Sequence, residues 1–432
     1  MKSSTIFITF ILSMFASIHN VQAEEQEEHP ILLLNEDSTF HFEILGGLGQ
    51  ALTGGGDISP ILGAAKNVTP GDFDKFTDIF YRLANETKAA ALDPANAYDP
   101  INVRDTWFSA ASYFRRADSF THGDWDDPMI NQLWEEMLSA FNKGISALPI
   151  PGQRVRIPAD NFTVEAIWYS ANSGGKHKKH PTLILGGGYD GAQEDMYHTI
   201  VTNALARGWN ALTYEGPGQP TVRRNQNLGF IPHWERVLTP TVDWLLANKR
   251  AEVDTKRLAL YGHSMGGYLA ARAGAFEPRV KAILLNGGIF DVHESYLDQS
   301  PAVLTDLYKS GQKDAFDETA LSLLSNPNVS SQIRWGIEHG MWAFKTRSPY
   351  DFFHQTEQYT LKDVISSIKV PVWIADAELE GFFRGQPQKV KEALGEKATL
   401  HPFTGTAGYH CQAGALQELN RAIFAWLHKT LG

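Results

Sequence analysis

The chain has 432 residues, a formal net charge of −11 and an ordinary composition, 43% apolar and 20% charged. That length exceeds one small core and suits a catalytic domain with an added module. The acidic balance argues against nucleic acid or an anionic membrane surface as the main partner, and the composition excludes fibrous, repeat-array and disordered chains.

At the N-terminus, Lys2 precedes the apolar run "TIFITFILSMFASI", and "VQA" ends at Ala23 ahead of the acidic "EEQEE". This is the layout of a secretory signal peptide over residues 1–23, too short and wrongly flanked for a membrane span. No later run is apolar enough to span a bilayer. The N-x-S/T sequons at Asn67, Asn85, Asn161 and Asn328 fit a secreted glycoprotein. A lone Cys411 forbids an intramolecular disulfide.

Residues 24–155 are expected to form a helical cap region. From about Asp72 to Leu148, "FDKFTDIFYRLANETKAAAL", "VRDTWFSAASYFRRADSF" and "DDPMINQLWEEMLSAFNKGISAL" carry apolar residues three and four apart, with no strand signal. After "PIPGQRVRIPAD" the pattern changes, and residues 156–432 are expected to be the catalytic domain. The runs "TVEAIWYS", "PTLILGG", "WNALTYEG", "RLALYGHS", "VKAILLNGG", "VPVWIADAE" and "ATLHPF" alternate with helical stretches. Such near-continuous apolar runs predict a mostly parallel sheet covered on both faces. The basic "GKHKK" at 175–179 reads as a solvated hairpin turn. A second helical insertion is expected at about 291–361, and "QELNRAIFAWLHKTL" closes the chain as an amphipathic helix.

At 261–267 the chain reads "YGHSMGG". G-x-S-x-G between a strand and a helix is a nucleophile elbow: the glycines let strand and helix approach while the serine hydroxyl stands exposed above the sheet. Ser264 is therefore the candidate nucleophile, and the amide of Met265, at the helix N-terminus, a candidate oxyanion donor. A serine hydroxyl needs a base. His410 in "GYHCQAG", after the last strand and before the last helix, has the right position, unlike His198, His263 or His401. The acid should follow "VPVWIADAE"; Asp376, Glu378 and Glu380 are candidates, and Glu380, clear of the strand end, is preferred with Glu378 second. In "LILGGGYDG" the three glycines permit close backbone approach, and the amide of Tyr189 is the second oxyanion donor. Asp190, His263 and Glu215 are assigned to the substrate pocket, with bracing of the active-site loop the preferred reading of Glu215. Trp335, Trp342 and Phe344 read as core, some of them walling the pocket. The "GGG" lacks G-x-G-x-x-G or Walker spacing, and no His/Cys cluster suggests a metal, so no cofactor is expected.

Together, "LILGGGYDGAQEDMY", "RGWNALTYEGPGQP", "GHSMGG", "RWGIEHGMWAF", "FFRGQ" and "GYHCQAG" resemble the α/β-hydrolase group of pseudooxynicotine hydrolases and fungal polyketide-shortening hydrolases, over about Val103 to the C-terminus. The resemblance implies an α/β-hydrolase fold, a Ser264–His410–Glu380 triad and a helical cap closing the pocket. It also implies hydrolysis of C–C bonds beside carbonyls, or of esters or amides as in relatives. The chain departs from the group in having Glu380 where Asp is usual, in Glu215 and Pro220 within "EGPGQP", and in its leader. The expected partner is a small, mostly apolar carbonyl substrate, such as a β-dicarbonyl. An ester, lactone or amide hydrolase is the alternative within the class, a catalytically weak secreted binding protein the alternative outside it, and a homodimer is left open.

Overall fold

The computed structural model describes residues 30–172 and 178–432, so the 1–23 leader and most of the "GKHKK" run lie outside the described residues. Residues 1–33 and 34–432 separate as two units, and the second carries the sheet and the helices that pack on it.

An eight-stranded sheet runs in the order β1-β2-β4-β3-β5-β6-β7-β8. Its strands are β1 (Gln153–Pro158), β2 (Thr163–Tyr169), β3 (His180–Gly186), β4 (Asn210–Glu215), β5 (Val253–His263), β6 (Ala282–Asn286), β7 (Val372–Ala377) and β8 (Ala398–Phe403). β1 and β2 pair antiparallel, β2 joins β4 antiparallel, and the remaining pairs are parallel. β4 lies between β2 and β3 in the sheet. β3 is followed by β4 on one side and flanked by β5 on the other, with Gly186 opposite Gly262. Open α/β sheets bind ligands at such a switch point, beyond the carboxyl ends of the strands.

Side-chain alternation sorts the core into two layers. Leu183, Leu185, Ala259, Tyr261 and Leu284 face one buried cluster; Ile184, Leu258, Leu260, Ile283 and Leu285 face the other. The first layer holds the N-terminal helices α1 (Ser38–Ala51), α2 (Ile58–Ala65), α3 (Phe73–Leu92), α4 (Pro100–Ala117) and α5 (Met129–Ser146) together with the last helix, Leu416–Leu431. The second holds helices Glu235–Asn248 and Gly266–Gly274 and the apolar side of the insertion between β6 and β7.

Position 155/156 falls within β1, and the N-terminal helices share a buried cluster with the sheet. The bundle joins the insertion through Arg224: its Nη2 donates to Asp118 Oδ1 at 2.7 Å, and its guanidinium lies over Trp134 and Trp342. Among the described residues no helix is long and apolar enough to cross a membrane.

Candidate active site

Ser264 stands between β5 and the helix Gly266–Gly274 at φ 57, a left-handed conformation that only a sharply constrained turn imposes on serine. The turn is locked by the Ser264 amide donating to Asn286 O at 2.6 Å and the Gly267 amide donating to Ser264 O at 2.8 Å. A Cβ on Gly262 would lie 2.0 Å from Gly266 O, and one on Gly266 would lie 2.5 Å from Gly187 O, so the G-x-S-x-G spacing is a packing requirement.

Ser264 Oγ lies 2.9 Å from His410 Nε2, and His410 Nδ1 lies 2.7 Å from Glu380 Oε2. His410 follows β8 on a turn whose next residues, Cys411 and Gln412, both have positive φ. Glu380 leaves β7 on a loop pinned by the Leu379 amide donating to Gly408 O, and its second oxygen, Oε1, accepts the amides of Phe382 and Phe383 at 2.9 and 3.2 Å. Burial opposes the charge on Glu380, but His410 and the two amides outweigh it and hold the carboxyl below its usual range. Burial likewise opposes the imidazolium, while the Cys411 sulfur and Glu380 raise the His410 pKa well above its usual value. The competing acids are elsewhere. Glu378 accepts the Gly405 amide at 2.7 Å and braces the turn ahead of His410; Asp376 accepts from Gln388 at 2.7 Å.

The glycine loop after β3 presses on the elbow: a Cβ on Gly188 would lie 2.8 Å from Ser264 Cβ and 2.9 Å from Met265 N. The backbone at Gly188 thus packs directly against Ser264 and the Met265 amide. The insertion fixes the loop. Tyr189 hydroxyl donates to Gly336 O at 2.6 Å and His339 Nε2 lies 3.3 Å from Tyr189 O, both on the helix Ser331–Ala343.

Ser264 and His410 open into a cavity of about 130 Å³ walled largely by Phe42, Phe120, Tyr296, Trp335, Phe353 and Phe382. Phe42 is on α1 and Phe120 just beyond α4, so segments before residue 150 do reach over the nucleophile. The nearest of them, α1, lies upstream of the helical stretch that the sequence marks.

Asp190 lines this cavity and an adjoining second one, and His263 lines the second. Glu215 is placed away from both. It is fully buried, accepts the amides of Gln193 at 2.9 Å and Thr221 at 2.7 Å, and is pushed up to about 7 by burial and by Glu194. It braces the loops after β3 and β4 instead of meeting substrate. Trp335 walls the cavity, whereas Trp342 and Phe344 belong to the core. Among the described residues no group of three or more His, Cys, Asp or Glu side chains is arranged to hold a metal ion.

The sheet order and the elbow define the class, and the chain belongs to the alpha/beta hydrolase family, which residues 180–411 match. It is a hydrolase of that family, and it is similar to several fungal hydrolases. Hydrolase acrC of Aspergillus aculeatus is 28% identical over 90% of this chain and 95% of its own. The 20-hydroxy-prefusarin hydrolase FUS2 of Gibberella moniliformis is 28% identical over 90% of this chain and 96% of its own. Among solved structures, a 2,6-dihydroxy-pseudo-oxynicotine hydrolase superposes with a TM-score of 0.69 at 20% identity, over 89% of this chain and 95% of that one. The likeness to the fungal proteins therefore extends through the N-terminal helices, beyond the Val103 limit that the sequence motifs set.

Proposed function

We propose that this protein is an exported serine hydrolase that cleaves a small, mostly apolar carbonyl compound through Ser264, His410 and Glu380. The observation that carries the reading is Ser264 Oγ, 2.9 Å from His410 Nε2, at the mouth of an aromatic cavity. Neutral His410 takes the hydroxyl proton on Nε2 as Oγ bonds to the substrate carbonyl carbon. Glu380 fixes the tautomer from Nδ1 and stabilises the imidazolium. The carbonyl oxygen, now anionic, is received by the Met265 and Tyr189 amides. Collapse breaks the bond to the leaving group, and His410 returns its proton there. Water then repeats the sequence on the acyl-serine and releases the acid.

The leaving group is the enolate carbon of a β-dicarbonyl compound, or an alkoxide in the ester reading. A small aromatic pocket of this size favours either over a polymer. The family membership and the hydrolase names of the fungal relatives support the reaction class. Export is supported by the 1–23 leader pattern and by Asn67, Asn161 and Asn328, which are exposed; Asn85 is half-buried inside α3. Turnover of matched β-diketones, aryl esters and lactones of similar size tests the proposal. A β-diketone preferred by kcat/KM supports the C–C reading, an ester or lactone preference replaces it, and no turnover of any, with Ser264 inert to a fluorophosphonate, overturns the hydrolase reading in favour of a binding protein.

A further inference from the structure

Ser264 lines two adjoining chambers, one aromatic and one that carries a cluster of polar side chains. One is the aromatic cavity walled by Phe42, Trp335 and Phe382. The second, about 120 Å³, shares Phe42, Glu43, Asp190, Ser264 and His410 with it and adds the polar side chains of Gln50, Arg115, Arg116, Asp195, Thr199 and His263 beside Met196, Leu416 and several small residues. Two arginines side by side on α4 are costly to bury unless they are paired or needed. Arg115 is held by Asp195 Oδ2 at 3.1 Å and by the Asp190 carbonyl and carboxylate at 2.9 and 3.4 Å. Arg116 donates to Glu43 Oε2 at 2.6 Å and to Gln50 Oε1 at 3.2 Å, while its Nε is buried with no partner. Three carboxylates, Glu43, Asp190 and Asp195, face the two guanidiniums, so the positive charge is more than offset locally. The chamber is therefore not an anion trap but a wall of alternating donors and acceptors, suited to neutral hydroxyl, carbonyl or amide groups.

We propose that this chamber is a binding subsite for the oxygen-rich arm of an amphipathic substrate, with Arg116, Gln50 and Asp190 as its polar contacts. The hydrocarbon arm occupies the aromatic chamber, and the scissile carbonyl lies between them at Ser264. The inference rests on the serine-hydrolase reading and narrows its substrate to one apolar and one polyoxygenated arm. A site that hydrogen-bonds a substrate group rejects an analogue lacking it far more strongly than an apolar pocket rejects a missing methylene, because its buried polar groups are then left unpaired.

The test uses two hexanoate esters whose alcohol arms match in length, one a polyol and one an alkyl chain, with fluorophosphonate labelling run in parallel. The wild type is expected to favour the polyol ester by about 10-fold or more in kcat/KM. Arg116→Met is expected to bring that ratio toward one, and Arg116→Lys to restore part of it. Gln50→Leu, which removes the acceptor of Arg116 with little change of volume, should also lower the ratio and serves where Arg116→Met fails to fold. Labelling of Ser264 with no preference between the esters, or a preference that both Arg116→Met and Gln50→Leu retain, overturns the subsite. Absence of labelling overturns the serine-hydrolase reading beneath it.

Discussion

Cys411 sits 3.4 Å from His410 Nε2, the same nitrogen that faces Ser264 Oγ. Burial opposes its thiolate, yet His263 and His410 hold its pKa down to about 6. The relation is reciprocal: a thiolate beside Nε2 stabilises the imidazolium and raises the pKa of the base. Only neutral His410 accepts a proton, so kcat/KM should rise with pH through a limb lying above the usual histidine value of 6.5. Cys411→Ala removes the thiolate and should move that limb down toward 6.5; a limb unchanged in the variant would show that Cys411 does not tune the base. The acid gives a second prediction at this scale. Glu380→Gln keeps the side-chain shape but loses the charge that stabilises the imidazolium, and should lower kcat on the order of 10³-fold or more. Glu378→Gln and Asp376→Asn, whose carboxylates serve the Gly405 amide and Gln388, should cost far less. A Glu378→Gln variant slower than Glu380→Gln would contradict the assignment. Ser264, His410 and Glu380 are legible in the sequence because each is tied to a motif or a strand end. Asp376 and Glu378 stay in contention there, because only the turn after β7 decides which carboxylate reaches the imidazole.

At the scale of elements, the helix Ser331–Ala343 ties the cap to the chemistry through Tyr189. A Cβ on Gly340 would lie 2.3 Å from Tyr189 Oη, so the tyrosine seats only against a bare backbone. Tyr189→Phe removes the 2.6 Å hydrogen bond to Gly336 O, worth about 1 kcal/mol. On the proposed oxyanion role of the Tyr189 amide, it should lower kcat several-fold with KM little changed, since the loop shifts while the substrate walls remain. A change confined to KM would mean that Tyr189 acts only as a pocket wall. Helix α1 illustrates what the sequence conceals. Its "STFHFEILGGLGQA" contains Gly46, Gly47 and Gly49, which lower intrinsic helicity by about 1 kcal/mol each relative to alanine. Packing accounts for Gly49, since a Cβ there would lie 3.1 Å from Gly414 N, whereas Arg116 at 3.6 to 3.7 Å from Cβ positions on Gly46 and Gly47 leaves ordinary contact. Periodicity cannot register a helix that carries three glycines, one of them set by close approach of the loop at Gly414. β1 escapes notice for a related reason: "QRVRIP" is a half-exposed edge strand with little apolar signal.

The whole molecule buries histidines it must keep neutral. Burial is the main cause that lowers His198 and His339 to about 4 and His122 well below its usual value; the neighbouring His339 adds to the effect on His122. In the unfolded chain these groups bind protons below about 6.5, so between about 6.5 and 4 the unfolded state carries more protons than the native one and stability rises with pH. The melting temperature should therefore fall as pH is lowered through that window, and the fall should be smaller in His339→Gln. A fall of undiminished size in His339→Gln would place the linkage elsewhere. Strands β2 to β8 are legible from their apolar runs, since a sheet covered on both faces demands them. The division of the helices between its two faces is not, because that choice depends on contacts such as Arg224 with Asp118 that link distant segments. The central claim is that the fold presents Ser264 as a nucleophile activated by His410. Peptide mapping by mass spectrometry after fluorophosphonate treatment tests it most directly. A single adduct is expected, on Ser264, that forms in the wild type and is lost in Ser264→Ala and strongly slowed in His410→Gln. An unmodified Ser264 in folded protein, or an adduct that forms equally fast without His410, would contradict that claim.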